Sequence, residues 1–438
     1  LCFNFRMRGF VQNIAFLHIP SVRYALVAFS NILQIYIFTA GVFYFFTSFF
    51  GLKRRREHMI TCPVKKRFAL IVPAYNEESV IACAADSLLK IKYPRELFDI
   101  YVAADHCTDR TVEIARAHGA LVYEHKGDCP RGKSRALQAL DEYLLSTGKY
   151  DAFCYFDADS LAHPDFLEAM NARLNRGEQA IQACEHSKNW NVNWLSRICH
   201  VGQVLQVYYG QMPKHRLGFS ATLHGKGMCF TADIMRRFAW DPRALTEDIE
   251  FQANLVRHGV RIHYAPEAIV YDESPTQIIQ MIYRSIRWTK GALYVANKHI
   301  GGLLRRALKH RDMRALESFV RFSMCYRFIF VGLIAIFMYV YRDAFSLLFW
   351  VFDHPPGRRF TVKLMNWIPV YLWPAYAVYR EKGSWRLYAA YLMMPWFYLC
   401  LGVPIFFVSL YSYRRKGEWF RTEHTCPVEI ADILPPTM

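Results

Sequence analysis

The sequence predicts an α/β domain joined to an α-helical membrane region, and two patterns in its 438 residues carry that prediction. Between residues 61 and 298 short apolar runs alternate with helical periods, and on both sides of that middle lie charge-free apolar stretches. Charge adds a third observation: 54 Lys and Arg against 37 Asp and Glu give a formal charge of +17. With 53% hydrophobic and 16% aromatic residues, the chain is neither a disordered tail nor a small disulfide scaffold.

After an N-terminal segment (1–23), residues 24–50 contain no charged side chain. A helix of that length rises about 40 Å, enough to cross a ~30 Å hydrocarbon core. It is too long for the apolar core of a secretory leader, and no small-residue cleavage site precedes Lys53, Arg54, Arg55 and Arg56. That basic cluster, continued by Lys65, Lys66 and Arg67, marks the far side of the span as cytosolic, although Arg6, Arg8 and Arg23 weaken the contrast. The expectation is a multi-pass plasma-membrane protein with residues 61–298 in the cytosol.

Segment 299–318 places Leu303, Leu304, Ala307 and Leu308 among Arg305, Arg306, Lys309, Arg311 and Arg314. It reads as an amphipathic helix on the membrane surface, so much of the positive charge serves anionic lipid and anionic substrate rather than nucleic acid. The region 319–413 holds three charge-free stretches, 328–341, 364–379 and 387–413, of which the last alone is long enough to span unaided. The first must borrow Arg327 or the Arg342-Asp343 pair at an end. Three crossings conflict with the basic groups Arg380, Lys382 and Arg386 before the last stretch and Arg414, Arg415 and Lys416 in the tail (414–438). Pro395 and Pro404 permit a broken or re-entrant last segment that would resolve the parity. The twelve cysteines show no C-x-x-C pair and no zinc spacing, so they read as reduced, packed thiols.

Within the middle region, residues 68–72 form a buried-strand run stopped by Pro73, and 78–89 carry a helical period. A second strand (99–104), a helix near 111–118 and a third strand (121–123) repeat the pattern. This predicts a parallel sheet with ligand loops at the carboxyl ends of its strands. No G-x-G-x-x-G follows the first strand, which argues against NAD chemistry.

Four places carry chemistry. Pro73-Ala74-Tyr75-Asn76-Glu77-Glu78 sets an aromatic ring and carboxylates after the first strand, and Asp105 ends the second; either is equally a helix-capping device. The run 150–156 ends in Asp157-Ala158-Asp159, two carboxylates that repel unless solvated or neutralised by a divalent cation such as Mg²⁺ or Mn²⁺ on a diphosphate. Thr246-Glu247-Asp248 opens the helical run 249–258, as an acidic N-terminal turn or as a site whose Asp248 is a general base.

Taken in order, and followed by Arg287-Trp288, these motifs resemble the membrane-embedded family 2 glycosyltransferases, the group of cellulose, chitin, hyaluronan and poly-N-acetylglucosamine synthases; the resemblance covers residues 68 to about 291. It implies a GT-A (Rossmann-like) cytosolic domain. It implies that Tyr75, Glu77 and Asp105 hold the uridine of a UDP-sugar, with Asp105 on the uracil, and that Lys133 in Arg131-Gly132-Lys133-Ser134 lies near the nucleotide. Asp157 and Asp159 would hold Mg²⁺ or Mn²⁺, Asp248 would deprotonate the acceptor, Arg287 would face the pyrophosphate and Trp288 would line the acceptor entrance. The activity implied is inverting, metal-dependent hexosyl transfer from a UDP-sugar to a growing polysaccharide, forming a β-linkage with export of the glycan. The rival is transfer of one sugar to a lipid or polyprenyl-phosphate acceptor.

That rival gains weight from a departure: processive members carry Gln where this chain has Arg284, which reads as a diphosphate contact or a membrane-surface anchor. In His224-Gly225-Lys226-Gly227 the glycines suit close backbone approach, while His224 and Lys226 either favour an anionic acceptor or belong to a solvated turn. Trp190 to Trp194, Tyr208 and Tyr209 read as core or interface packing, or as platforms for sugar rings; residues 185–188 help shape the site without an assigned role.

Overall fold

The computed structural model describes residues 19–51, 62–341, 344–347, 372–381, 383–413 and 428–433. Two compact units divide the chain, Leu1–Thr47 with Ser323–Tyr376 and Ser48–Phe322 with Ala377–Met438. The basic residues 53–56, Arg6 and Arg8, the Arg342-Asp343 pair, Lys382 and the tail residues 414–416 lie outside the described residues.

The larger unit is built on strands β1 (Phe68–Ala74), β2 (Phe98–Asp105), β3 (Leu121–His125), β4 (Ala152–Tyr155), β5 (Leu161–Ala162), β6 (Ala180–Ser187), β7 (Met228–Thr231) and β8 (His263–Asp272). They form one sheet ordered β3-β2-β1-β4-β7-β6-β8-β5. β1 is buried along both faces, which is why its sequence is a continuous apolar run rather than an alternation. Phe68, Leu70 and Val72 pack with Phe98, Ile100, Phe156, Phe166 and Met170 in the main core. The strand does not stop at Pro73 as the sequence suggests; it runs on to Ala74, with Pro73 opposite Ala103. Its missing N–H is tolerated because Pro73 lies past Ile71↔Tyr155, the last pair between β1 and β4.

The sheet is mixed, not parallel throughout as expected. β3, β2, β1 and β4 run parallel, but β7 is antiparallel to both β4 and β6, and β5 is antiparallel to β8. The reversal has a consequence for the site. Because Met228 opens β7 opposite Tyr155 at the end of β4, the turn 224–227 is delivered beside Asp157.

Two long helices belong to the same unit. Ile278–His310 runs unbroken through Arg287 and Trp288, and Trp385–Tyr411 is continuous through Pro395 and Pro404, so the last apolar stretch is one unbroken helix. The latter packs in the same unit through the Trp194–Phe397 ring pair at 5.7 Å and a Ser409 Oγ hydrogen bond to the Ile286 carbonyl at 3.5 Å. Residues 299–318 are two helices rather than one: the chain turns at Arg311, whose φ is +50°, before Met313–Ser323. Leu303 and Ala307 are buried against the unit, Leu308 is 71% exposed, and Asp312 accepts from both Arg306 and Arg314.

In the smaller unit Tyr36 hydrogen-bonds Ser323 and its ring meets Phe330, while Phe29 meets Phe337 edge-on at 6.2 Å. Among the described residues three helices are long and apolar enough to cross a membrane: Pro20–Gly51, Met313–Val340 and Trp385–Tyr411. The stretch 364–379 is described only at its end, as the helix Trp373–Arg380.

Candidate active site

The end of β4 and the start of the Glu247–Arg257 helix meet at Gly225. A Cβ placed there would lie 3.6 Å from Asp248 Oδ2 and 3.8 Å from Asp157 Oδ2, and the φ of +80° is one that only glycine adopts freely. The expected close backbone approach is therefore present, and two carboxylates flank it. Lys133, first residue of the Lys133–Thr147 helix, joins them: its Nζ lies 2.7 Å from Asp157 Oδ1 and 2.6 Å from Glu247 Oε1. Glu247 is thus part of the cluster, a role the sequence pattern did not separate from helix capping.

Charge balance in the cluster favours a proton on Asp248. Its carboxyl is pushed up to about 7 by burial and by the neighbouring Glu247 and Asp157 charges, against the pull of Lys133. Lys133 itself stays firmly protonated, because Asp157 and Glu247 outweigh the cost of its burial. A carboxylate that titrates near neutrality suits proton abstraction from a hydroxyl. Hard oxygen donors also suit a divalent cation. Asp157 Oδ1 is held by Lys133, while Oδ2 faces the Gly225 cradle and is the oxygen of Asp157 that could serve such an ion. Asp159 is buried, and its carbonyl accepts from Lys188 Nζ at 2.9 Å.

Beyond Gly225 lies a second charged layer. Lys226 is buried, pairs with Asp272 and sits 3.1 Å from Glu185, which is also 3.1 Å from His224 Nδ1. The turn is not solvated, and the Lys226 and His224 side chains are both met by acids inside the protein. Glu185, unassigned from sequence, is the acid that binds both, and they hold its carboxyl below the usual range in spite of burial. Arg284 packs its guanidinium 4.5 Å over the Trp288 ring and 3.6 Å from Asp272 Oδ2. Trp288 is 46% exposed. Of the other aromatics, Tyr208 is buried with its OH 2.7 Å from Glu381, Trp190 meets His200 at a tilt with ring centroids 5.5 Å apart, and Trp194 is exposed.

Arg287 lies on a helix that packs against the loop ending in Thr246, Glu247 and Asp248. One turn further along its helix, Gly291 lies directly against the Thr246 side chain, and Arg287 feels the charges of Glu247, Asp157 and Asp248. Thr246 occupies the N-cap position without a side-chain capping bond.

Tyr75, Glu77 and Asp105 form a separate cluster at the ends of β1 and β2. Asn76 bridges the two loops, accepting from the Thr108 N–H at 2.7 Å, and the Glu77 N–H donates to Thr111 Oγ1 at 2.8 Å. Arg131 lies 4.2 Å over the Tyr75 ring. Asp105 is bonded by His106 and His125, and ligand atoms of the three lie within 4.8 Å of one another, a group that could hold a metal ion. Sequence spacing missed it because His125 reaches Asp105 through parallel register, Asp105↔His125.

The family model described as "Glycosyltransferase like family 2" matches residues 66–291, half of the chain. This protein belongs to that family. Over 310 residues it is 24% identical to the probable glycosyltransferase YdaM of Bacillus subtilis, covering 69% of this chain and 71% of the relative. Over 232 residues it is 25% identical to the beta-monoglucosyldiacylglycerol synthase of a Nostoc species, covering 51% of this chain and 48% of that relative, so it spans about half the relative's length. Among solved structures, the mannosyltransferase PcManGT of Pyrobaculum calidifontis, in complex with GDP-Man and Mn²⁺, aligns with a TM-score of 0.51 at 17% identity, covering 85% of this chain and 99% of the other. The fold of the family 2 domain is of the GT-A type, with a mixed sheet.

Proposed function

We propose that this glycosyltransferase is an inverting, membrane-integrated enzyme that moves a hexose from a UDP-sugar to an acceptor hydroxyl, forming a β-linkage. The observation that carries the reading is the pair of carboxylates across Gly225, one titrating near neutrality and the other tied to Lys133. Asp248 takes the acceptor proton. Arg287 and Lys133 bring positive charge to the side where the diphosphate leaves, and Tyr75, Glu77 and Asp105 receive the base. Mg²⁺ or Mn²⁺ on Asp157 and Asp159 would neutralise the diphosphate when bound. Direct displacement uses one base and no protein nucleophile, hence inversion.

The acceptor enters past Trp288 from the membrane side, with the family 2 domain (61–298) in the cytosol and the apolar helices in the plasma membrane. A growing polysaccharide, exported as it grows, is the first reading. A specific observation supports a second, transfer of one sugar to a lipid: Arg284 is engaged by Asp272 and Trp288, where a processive enzyme has Gln, and a relative is named for glucosylating diacylglycerol. The test is UDP release by the detergent-solubilised full chain over a panel of UDP-sugars with Mg²⁺ or Mn²⁺, products being sized by mass spectrometry. A ladder of products supports the polymer and a single addition supports the lipid acceptor. Asp248→Asn should abolish turnover while leaving UDP affinity within about tenfold; wild-type protein that neither binds UDP nor releases it overturns the reading.

A further inference from the structure

The carboxylate of Asp105 has little hydrogen-bonding capacity left. Ionised, it is an acceptor with about four lone-pair sites. Its Oδ1 accepts from His106 Nδ1 at 2.8 Å and from His125 Nδ1 at 2.9 Å, and its Oδ2 accepts from the Gly132 N–H at 2.8 Å. Because an ionised carboxylate cannot donate, both imidazoles must carry their proton on Nδ1 to make these bonds. The arrangement is fixed by backbone: Asp105 and His125 are register partners on adjacent strands, the His106 N–H donates to the His125 carbonyl at 2.9 Å, and His106 is held at φ +53°. Three sites are filled, and the one remaining lies on Oδ2.

A nucleobase meeting this carboxylate can therefore place one N–H on it. Uracil presents a single imide N–H between two carbonyls. Guanine presents two adjacent donors, a ring N–H and an amino group, that ask for both oxygens of a carboxylate; with Oδ1 occupied, one of them is left unpaired in a desolvated site, which costs binding. We propose that His106 and His125 are specificity-determining positioning residues: by saturating Asp105 Oδ1 they restrict the carboxylate to one hydrogen bond from the base and select uridine over guanosine diphosphate donors. The inference rests on the reading of this strand end as the base-binding end of the donor site.

The experiment is calorimetric titration of the full-length protein with UDP and with GDP in Mg²⁺, comparing wild type with His125→Phe, which keeps a ring of similar shape, and His106→Gly, which suits the positive φ. Wild type should favour UDP by at least about tenfold. Each variant should narrow the ratio of the two affinities by about threefold or more, chiefly by gaining GDP affinity, and His125→Asn, which retains a donor near the Nδ1 position, should restore it. Equal affinity of wild type for both nucleotides overturns the inference and leaves the transferase reading standing. So does parallel loss of both in the variants, the outcome of a merely structural role. Tight Zn²⁺ binding in the absence of nucleotide, lost in His125→Phe, also overturns it, since a metal on Oδ1 would displace the imidazole N–H donors. Failure of wild type to bind either nucleotide overturns the transferase reading together with this one.

Discussion

Gly291 and Thr246 are in direct contact with no room between them: a Cβ on Gly291 would come within 2.9 Å of the Thr246 Cβ and closer still to its Oγ1 and Cγ2. The long helix can lie against the loop that carries Glu247 and Asp248 only because residue 291 has no side chain, and that approach sets where Arg287 stands relative to the two acids.

Gly291→Ala should therefore lower kcat by about 10- to 100-fold and destabilise the protein by about 1–3 kcal/mol, because the added methyl pushes the helix off the loop. Thr246→Ala in that background removes the two nearest atoms and should recover part of both losses. Steady-state kinetics and thermal melts check this; full activity in Gly291→Ala would remove Gly291 from the positioning of Arg287.

The Asp248 carboxyl, raised to about 7, gives a pH profile with a defined direction. The base is the deprotonated form, so kcat/KM should climb as pH rises through about 7 and level off above it. Glu247 is one of the charges that raises it. Glu247→Gln should move the rising limb to lower pH, both by removing that charge and by taking from Lys133 one of its two carboxylate partners, Asp157 being the other. A limb that stays put, or moves up, would count against Asp248 as the titrating base.

Asp141 offers a stability test away from the chemistry. It is buried on the Lys133–Thr147 helix, accepts from Tyr155 OH at 2.9 Å and from Trp240 Nε1 at 2.7 Å, and burial raises its carboxyl to about 7. A carboxyl raised above its unfolded value of 3.8 binds more protons in the folded state, so its contribution to stability declines as pH rises from about 4 and is fully unfavourable above about 7. Asp141→Asn keeps an acceptor for Trp240 and a donor for Tyr155, so wild type should lose stability relative to the variant between pH 5 and pH 8, by a few kcal/mol at most. Denaturant unfolding at the two pH values measures it; parallel curves would mean that Asp141 is not buried as a neutral acid.

Much of the site was legible because it rests on local sequence. Tyr75 and Asp105 follow apolar strand runs, Asp157 follows another, and Glu247 and Asp248 open a helix, so strand ends and helix starts could be read from periodicity alone. The apolar stretches announced themselves for the same reason, as helices long enough for a bilayer.

What the sequence by itself determined was thus the α/β class, the membrane-length helices and the order of the acidic motifs, all of which follow from hydrophobic period and residue type within a few turns of chain. Tertiary structure alone decided which charges meet. The reversed strand β7 carries Gly225 and Lys226 to Asp157 and Asp272; parallel register sets His125 on Asp105; and a helix more than a hundred residues away in sequence brings Lys133 to Glu247. Coulomb energies depend on separation in space and on burial, neither of which is written in spacing along the chain. That is why His224 and Lys226, read as either a solvated turn or an anion site, proved to be paired with Glu185 and Asp272 inside the protein.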